Sequence, residues 1–372
     1  MRVLVLNAGS STLKIRLLGP RNELLADRSV ELRSAPDVHQ VAAQLAEIQG
    51  VDAIGHRVVH GGTDLTEPVI LDDDIEQRIA SLAPLAPSHQ AAALVMIHAA
   101  RDAFPAVPAV ACFDTAYHAT LSPSASTYAL PAAWRDRWHL RRYGFHGLSH
   151  SYAARRAAEL LETDRHALRV ISCHLGAGAS LCASQGGRSI DTTMGFTPLE
   201  GLVMATRSGS VDPGLVLWLL TVAGLDAAHV GRELEEHSGL AGLSGGSGDM
   251  RDVLAARETG DEHAHLAFDV YVHRLVREIA AMTASLGGLD ALVFTGGVGE
   301  HAPAVRAATA ERLGFLGVAI DPERNTAATE GDADVGGPDA PVATLVVVAR
   351  EDLEIARGTR SLLARNNGPA TP

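Results

Sequence analysis

Two stretches of this chain share one plan, and that plan limits the fold more than any other feature. Near the start, Arg2-Val-Leu-Val-Leu-Asn7 alternates as a strand, residues 8–12 form a small-residue turn, and Leu13-Lys14-Ile15-Arg16-Leu17 returns. Residues 169–174, 175–179 and 180–183 repeat the same succession of strand, glycine-rich turn and strand. Each reads as a β-hairpin whose turn leaves room for backbone amides to approach an anion. One such hairpin opening each half predicts a duplicated fold that grips phosphates from two sides. A third cluster, Gly296-Gly297-Val298-Gly299-Glu300, follows the strand pattern 290–295 and precedes a helix-like stretch at 304–313. Strand, glycine turn and helix form a common nucleotide-contacting unit, because the helix start presents free amides. The spacing is not that of a dinucleotide fingerprint, and such a cluster also serves as a plain tight turn.

At 372 residues the chain suits two domains. Amphipathic helices are predicted near 38–49, 73–82, 88–103, 150–161, 263–286 and 351–365, with hydrophobic strands around 51–60, 107–113 and 342–348. The pattern is mixed α/β throughout. The Asp- and Gly-rich segment 326–340 reads as a surface loop and the tail 366–372 as frayed. A formal net charge of −13 argues against a nucleic-acid or anionic-membrane binder, so an anionic substrate needs locally placed cations. The three cysteines (Cys112, Cys173, Cys182) have no CxxC spacing and read as reduced, buried thiols. Met1 leads straight into a strand pattern and the longest apolar stretch, 213–225, is too short to span a bilayer. A cytoplasmic location without a membrane partner is the expectation.

Of 31 lysines and arginines, Lys14 alone is lysine. An ammonium is a compact point charge that fits a tight phosphate cradle, whereas arginine is a planar fork. No GxxxxGK[ST] loop occurs, which excludes a P-loop enzyme. Further isolated polar residues lie in apolar or glycine-rich surroundings: Arg57 in Gly55-His-Arg-Val-Val-His-Gly-Gly62, Asp114 after Val110-Ala-Cys-Phe, His146 in Arg142-Tyr-Gly-Phe-His-Gly147, and Arg207 in Met204-Ala-Thr-Arg-Ser-Gly209. Each has an ordinary reading as well. A strand-end Asp caps or turns, a His beside Phe sits hydrogen-bonded in a core, and an Arg among small residues makes a surface ion pair.

Together VLVLNAGSSTLK, GHRVVHGG, FDTAYHATL, RRYGFHGLSH, CHLGAGAS, DTTMGFTPLEGLVMATRSGSVDPG, GDMRD and FTGGVGEH resemble the acetate kinase family in the same order, from about Val3 to Ala356. The resemblance implies an α/β fold of two duplicated βββαβαβα domains, ribonuclease H-like and of the actin-type ATPase class, with a central cleft. It implies an N-terminal domain of 1–118 plus 354–372 on the acyl side and a second of 119–353 on the nucleotide side. The implied reaction is reversible transfer of the γ-phosphoryl group of ATP to acetate or another short carboxylate, giving acyl phosphate and ADP. Asp114, His146 and Arg207 would be catalytic, and Arg57, Val59, Leu85, Phe145 and Pro198 would bind the acid. Ser10, Thr12, Lys14, His174, Leu175, Gly176, Ala177, Gly178, Asp249, Met250, Arg251, Gly297, Val298, Gly299, Glu300 and His301 would hold the nucleotide. Asn7 and Glu351 would lie at Mg²⁺, with Mn²⁺ as an alternative, and the chain would pair as a homodimer. Phosphoryl transfer to an anion chiefly needs charge compensation, which two arginines, an imidazole and a metal provide. Asp114 is then expected to orient Arg57 or the metal's water shell.

The chain departs from the family pattern in four places. Ala177 replaces an asparagine, His301 follows Gly299-Glu300 in place of asparagine, Arg350 precedes Glu351, and Leu85-Ala-Pro-Ser-His89 replaces Leu-His-Asn-Pro-Pro. Propionate or butyrate therefore stay open as substrates, since one methylene shifts binding by only about 1–3 kcal/mol. Arg350 also raises the idea of an inorganic phosphate donor. A nucleotide-binding regulatory protein of the same fold is the contrasting reading; it has no need of Arg57, Asp114, His146 and Arg207 together. A sugar kinase would want hydroxyl-reading residues where Val59, Phe145 and Pro198 stand.

Overall fold

The structure is a computed structural model; it describes residues 1–8, 12–31 and 38–366. The chain divides into two compact units, Met1–Ala119 with Phe145–Tyr152 and Arg350–Pro372, and Thr120–Gly144 with Ala153–Ala349. The segment with Phe145 and His146 thus belongs with Asp114 in the first unit, whereas the sequence reading had assigned it to the second domain.

The first unit is built on a six-stranded sheet of β1 (Val3–Ala8), β2 (Thr12–Leu18), β3 (Leu24–Glu31), β4 (Ala53–Val58), β5 (Val69–Ile70) and β6 (Ala109–Phe113), ordered β3-β2-β1-β4-β6-β5. β1, β4 and β6 run parallel, while β2, β3 and β5 pair antiparallel to their neighbours. The second unit carries β7 (Arg169–Leu175), β8 (Ala179–Gln185), β9 (Arg188–Thr192), β10 (Ala291–Thr295), β11 (Ala333–Asp334) and β12 (Ala343–Val346), ordered β11-β12-β10-β7-β8-β9. Read from the opposite edge this is the same plan: a three-stranded meander, two further parallel strands, and a short antiparallel edge. The two hairpins found in the sequence are β1–β2 and β7–β8.

Parallel strands covered on both faces need apolar side chains on both, which the Val-Leu runs supply. In the first unit Leu4, Leu6 and Ile54 pack with Leu45, Met96 and Ala100 of the helices Val38–Ala46 and Pro87–Ala103. On the other face Val3, Val5, Ala53, Val110 and Cys112 pack with Ile355, Ala356 and Leu363 of the helix Glu351–Asn366. Alternation with period two carries that second face on to Asn7, Arg57 and Asp114, where the apolar strands end. In the second unit the helix Glu262–Leu286 buries a stripe that includes Phe268, Val272, Leu275, Ile279 and Met282, at helical spacing. It starts on an Asp261 cap and stops at Gly287 with φ +65°.

The segment 326–340 is not a plain surface loop. It supplies β11 to the sheet edge, and Val335 is fully buried with Val346 in a small satellite core. The three cysteines are free and buried. Among the described residues no helix is long and apolar enough to cross a membrane. The apolar stretch near 213–225 forms the helix Pro213–Thr221, none of whose residues is buried.

His56, on β4, is fully buried and neither ring nitrogen has a hydrogen-bond partner among the described residues. Burial pushes it down to about 3, and nearby His60 down to about 4. Both are then neutral in the folded chain below pH 6.5, where the unfolded chain takes up protons. Stability is therefore held above pH 6.5 and lost as pH falls, with a slope of about 1.4 kcal/mol per pH unit for each group. Replacing His56→Leu is expected to flatten the denaturant-measured stability profile between pH 4 and 6 by about that slope; parallel profiles would refute this.

Candidate active site

Three strand ends of the first unit meet at one polar cluster. The Arg57 guanidinium forks onto the Asp114 carboxylate, with Nε at 3.1 and 3.0 Å from its two oxygens and Nη2 at 2.6 Å. Its Nη1 turns the other way and donates to Asn7 Oδ1 at 3.2 Å and the Ala8 carbonyl at 3.4 Å. Asn7 in turn donates through Nδ2 to Glu351 Oε2 at 2.6 Å, at the first residue of the helix Glu351–Asn366. Asp114 is 1% exposed. Burial pushes its carboxyl up from the ordinary aspartate value and Glu351 adds to this, against the pull of Arg57. Burial opposes the charge on Arg57 too, but Asp114 and Glu351 outweigh it and the net direction is up. The fork engages both Asp114 oxygens with the one guanidinium.

Lys14 faces Asn7 across the β1–β2 ladder and is exposed. Ser10 lies outside the described residues, and of Thr12 only the backbone is described, pairing with Glu31. Val59 and Phe145 are buried and Leu85 half-buried at the end of the 3-10 turn Ala83–Leu85. The Phe145 ring meets His60 edge-on at 5.6 Å. His146 has φ +56°, a left-handed conformation that an L side chain holds only when its surroundings enforce it. Arg350 does not offer a loose cation beside Glu351: its guanidinium is bidentate on Asp352 at 2.9 and 2.8 Å. The idea of an inorganic donor loses its physical ground there.

The second unit holds a cavity of about 510 Å³ that gathers Gly176, Ala177, Asp249, Met250, Arg251, Gly297, Val298 and His301 from the residues expected around the nucleotide. Asp249 caps the helix Met250–Glu258 by accepting from Arg251 N, and the Arg251 guanidinium lies back over it at 3.0 Å, which lowers the Asp249 carboxyl. Gly296, at φ +78°, starts the short helix Gly296–His301; a Cβ there would stand 2.8 Å from the Leu175 carbonyl. Leu175 and Gly299 are buried and, like His174, Gly178 and Glu300, do not line the cavity. The Glu300 carboxylate is a clamp inside the fold, accepting from Gly296 N at 2.8 Å and Ala349 N at 3.0 Å.

Below the glycine turn lies a residue that the sequence reading missed. Arg306 is wholly buried, burial pulls it down to about 10, and all its donors are taken. Nη1 bonds the Gly299 and Glu300 carbonyls, Nε the Asn325 side chain, and Nη2 the Asn325 and Ala328 carbonyls. Nothing local marks it, because its partners lie as far as 22 residues along the chain. Ala205, Thr206, Leu240, Gly248 and Leu254 also line the cavity and were missed. Ala205 N donates to the Ala177 carbonyl at 3.1 Å, which ties the Arg207 loop to the β7–β8 turn. Arg207 donates to the Pro198 carbonyl at 3.3 Å and forms no ion pair among the described residues. Burial pulls it down, partly offset by Glu235.

The chain has relatives in sequence and in fold. The sequence model of the Acetokinase family matches residues 25–357. Acetate kinase of Leifsonia xyli is 47% identical, covering 95% of this chain and 97% of its own length. That of Deinococcus deserti is 44% identical over 99% of both. Among solved structures, Porphyromonas gingivalis acetate kinase superposes with a TM-score of 0.90 at 34% identity, covering 97% of this chain and 99% of that one. A propionate kinase from Francisella tularensis gives 0.88 at the same identity and the same coverage. With the family matched across most of its length and relatives this similar end to end, the chain belongs to the acetokinase family.

Proposed function

We propose that this chain is an acetate kinase, reversibly transferring the γ-phosphoryl group of ATP to acetate to give acetyl phosphate and ADP. One observation carries the reading furthest: the buried Arg57–Asp114 fork joined through Asn7 to Glu351. A carboxylate substrate is already a nucleophile at neutral pH, so no strong base is required. The obstacle is the approach of two anions. Arg57, aimed by Asp114, holds the acid, with Val59, Leu85 and Phe145 as its apolar surroundings. Lys14 attracts the phosphates, a task it shares with Ser10 and Thr12. His146 and Arg207 donate to the equatorial oxygens that gain charge in the transition state. The first unit thus serves the acid and the second the nucleotide, in the cavity of Ala177, Asp249 and Gly297.

Asn7 and Glu351 fit a Mg²⁺ ion, or Mn²⁺ in its place. Both carry an oxygen donor: Asn7 meets Glu351 through its Nδ2 while its Oδ1 accepts from Arg57, and no group of three or more His, Cys, Asp or Glu forms a cage among the described residues. Mg²⁺ takes one or two carboxylates and completes its shell with water and phosphate. When bound it screens the β- and γ-phosphates. The apolar helix Pro213–Thr221, with Leu217 61% and Trp218 52% exposed, supports a homodimer in which a second copy covers that face. An ATP-dependent reaction accords with a cytoplasmic location.

Propionate is the second reading for the acid, favoured by the equal identity to a propionate kinase. Incubation with Mg·ATP and C1 to C6 acids, trapping acyl phosphate as the hydroxamate, decides between them. Turnover is expected with acetate or propionate and ADP in stoichiometric amount; none with any acid, in either direction, would sink the proposal. Asp114→Asn keeps an acceptor for Arg57 and is expected to retain at least about tenfold more kcat than Asp114→Ala. Equal losses in two folded variants would argue that the Asp114 charge itself, not its grip on Arg57, is what matters.

A further inference from the structure

We propose that His118, four residues beyond Asp114, is a positioning residue that holds His146 in its reactive conformation. The inference rests on the reading of His146 as a donor to the transferring phosphoryl group. His118 is fully buried in the 3-10 turn Ala116–Thr120, and its Nε2 lies 2.9 Å from the Phe145 carbonyl oxygen. A carbonyl can only accept, so the ring nitrogen is the donor and carries the proton. Phe145 immediately precedes His146, whose φ of +56° costs about 1–2 kcal/mol for a residue with a Cβ. Such a conformation persists only where the neighbouring peptide groups are fixed.

Each of those groups is fixed. The Phe145 carbonyl is held by His118, the His146 carbonyl accepts from His150 N at 2.9 Å, and Gly147 N donates to the Asp114 carbonyl at 2.9 Å. The last contact is so close that a Cβ on Gly147 would lie 2.1 Å from the Asp114 carbonyl oxygen. Residues 114–118 therefore form a template on which residues 145–147 are laid. Two of the three bonds come from that template, one through backbone and one through the His118 ring. The ring is itself set in place by edge contacts with Tyr117 and His150, each at 5.8 Å between centroids. Asp114 and His146 are thereby referenced to each other: the turn that orients Arg57 also sets the backbone of the imidazole.

The test compares His118→Met, which removes the donor, with His118→Gln, whose amide reaches about as far as Nε2. Folding is followed by thermal denaturation, and KM and kcat are measured for ATP and acid. His118→Met is expected to lower kcat at least about tenfold, short of the roughly hundred- to thousandfold for losing a transition-state donor outright, with both KM values nearly unchanged. His118→Gln is expected to recover most of the rate. In a His146→Ala background, His118→Met should cost nothing further in kcat, since its effect runs through His146. A folded His118→Met variant with normal kcat, or the same fractional loss with His146 already absent, would overturn the inference. If His118→Met does not fold, the contrast of Gln with the shorter Asn decides: equal rates overturn it, and a rate kept only by Gln supports it. A wild-type kcat in His146→Ala would instead overturn the reading of His146, and the inference with it.

Discussion

Taking a guanidinium and a carboxylate out of water is costly unless each satisfies the other, and the first unit is organised around one such pair. Arg57 and Asp114 sit at the ends of parallel strands β4 and β6, where the apolar alternation that built the sheet stops. Their fork has geometry good enough to offset desolvation, and Asn7 absorbs a further donor of Arg57. Removing either partner would leave a buried charge uncompensated. The strand ends, the helix start at Glu351 and the 145–147 segment are all held by bonds that lead back to Asn7, Arg57 or Asp114.

One architecture serves two tasks in this chain. Both sheets run as a meander followed by parallel strands and an antiparallel edge, yet the ends of their hairpin strands differ in chemistry. The β1–β2 hairpin pairs a polar strand end, Asn7, with a lysine. The β7–β8 hairpin ends in buried Leu175 and small residues, which opens space for a cavity beside Ala177. Glu300 and Arg306 brace the glycine turn from within, one taking up backbone amides and the other backbone carbonyls. Their buried side chains hold the turn that carries the cavity-facing residues Gly297, Val298 and His301.

Strand ends and turns were legible in the sequence because period-two alternation and small-residue clusters are local signals. Arg57 and Asp114 stood out as polar residues in apolar surroundings, Asn7 came only from the family resemblance, and the structure joins the three. What stayed hidden depends on distant partners. Glu300 read as a nucleotide contact, and no local pattern shows that its Oε1 also accepts from Gly296 N and from Ala349 N, 49 residues along the chain. Arg350 read as a stray cation until Asp352 was seen to hold it. Two-residue β11 carries too little pattern to separate it from the loop around it, and Phe145–Tyr152 joins the first unit through bonds no spacing reveals.

The central claim is that Asp114 and Arg57 act as one unit, with Asp114 contributing only through the orientation it imposes. A double-mutant cycle of Asp114→Ala and Arg57→Gln, read in kcat/KM for the acid, tests it most directly. The account predicts strong non-additivity, the double variant being no slower than Arg57→Gln alone. Losses that multiply would contradict it and give Asp114 a role of its own.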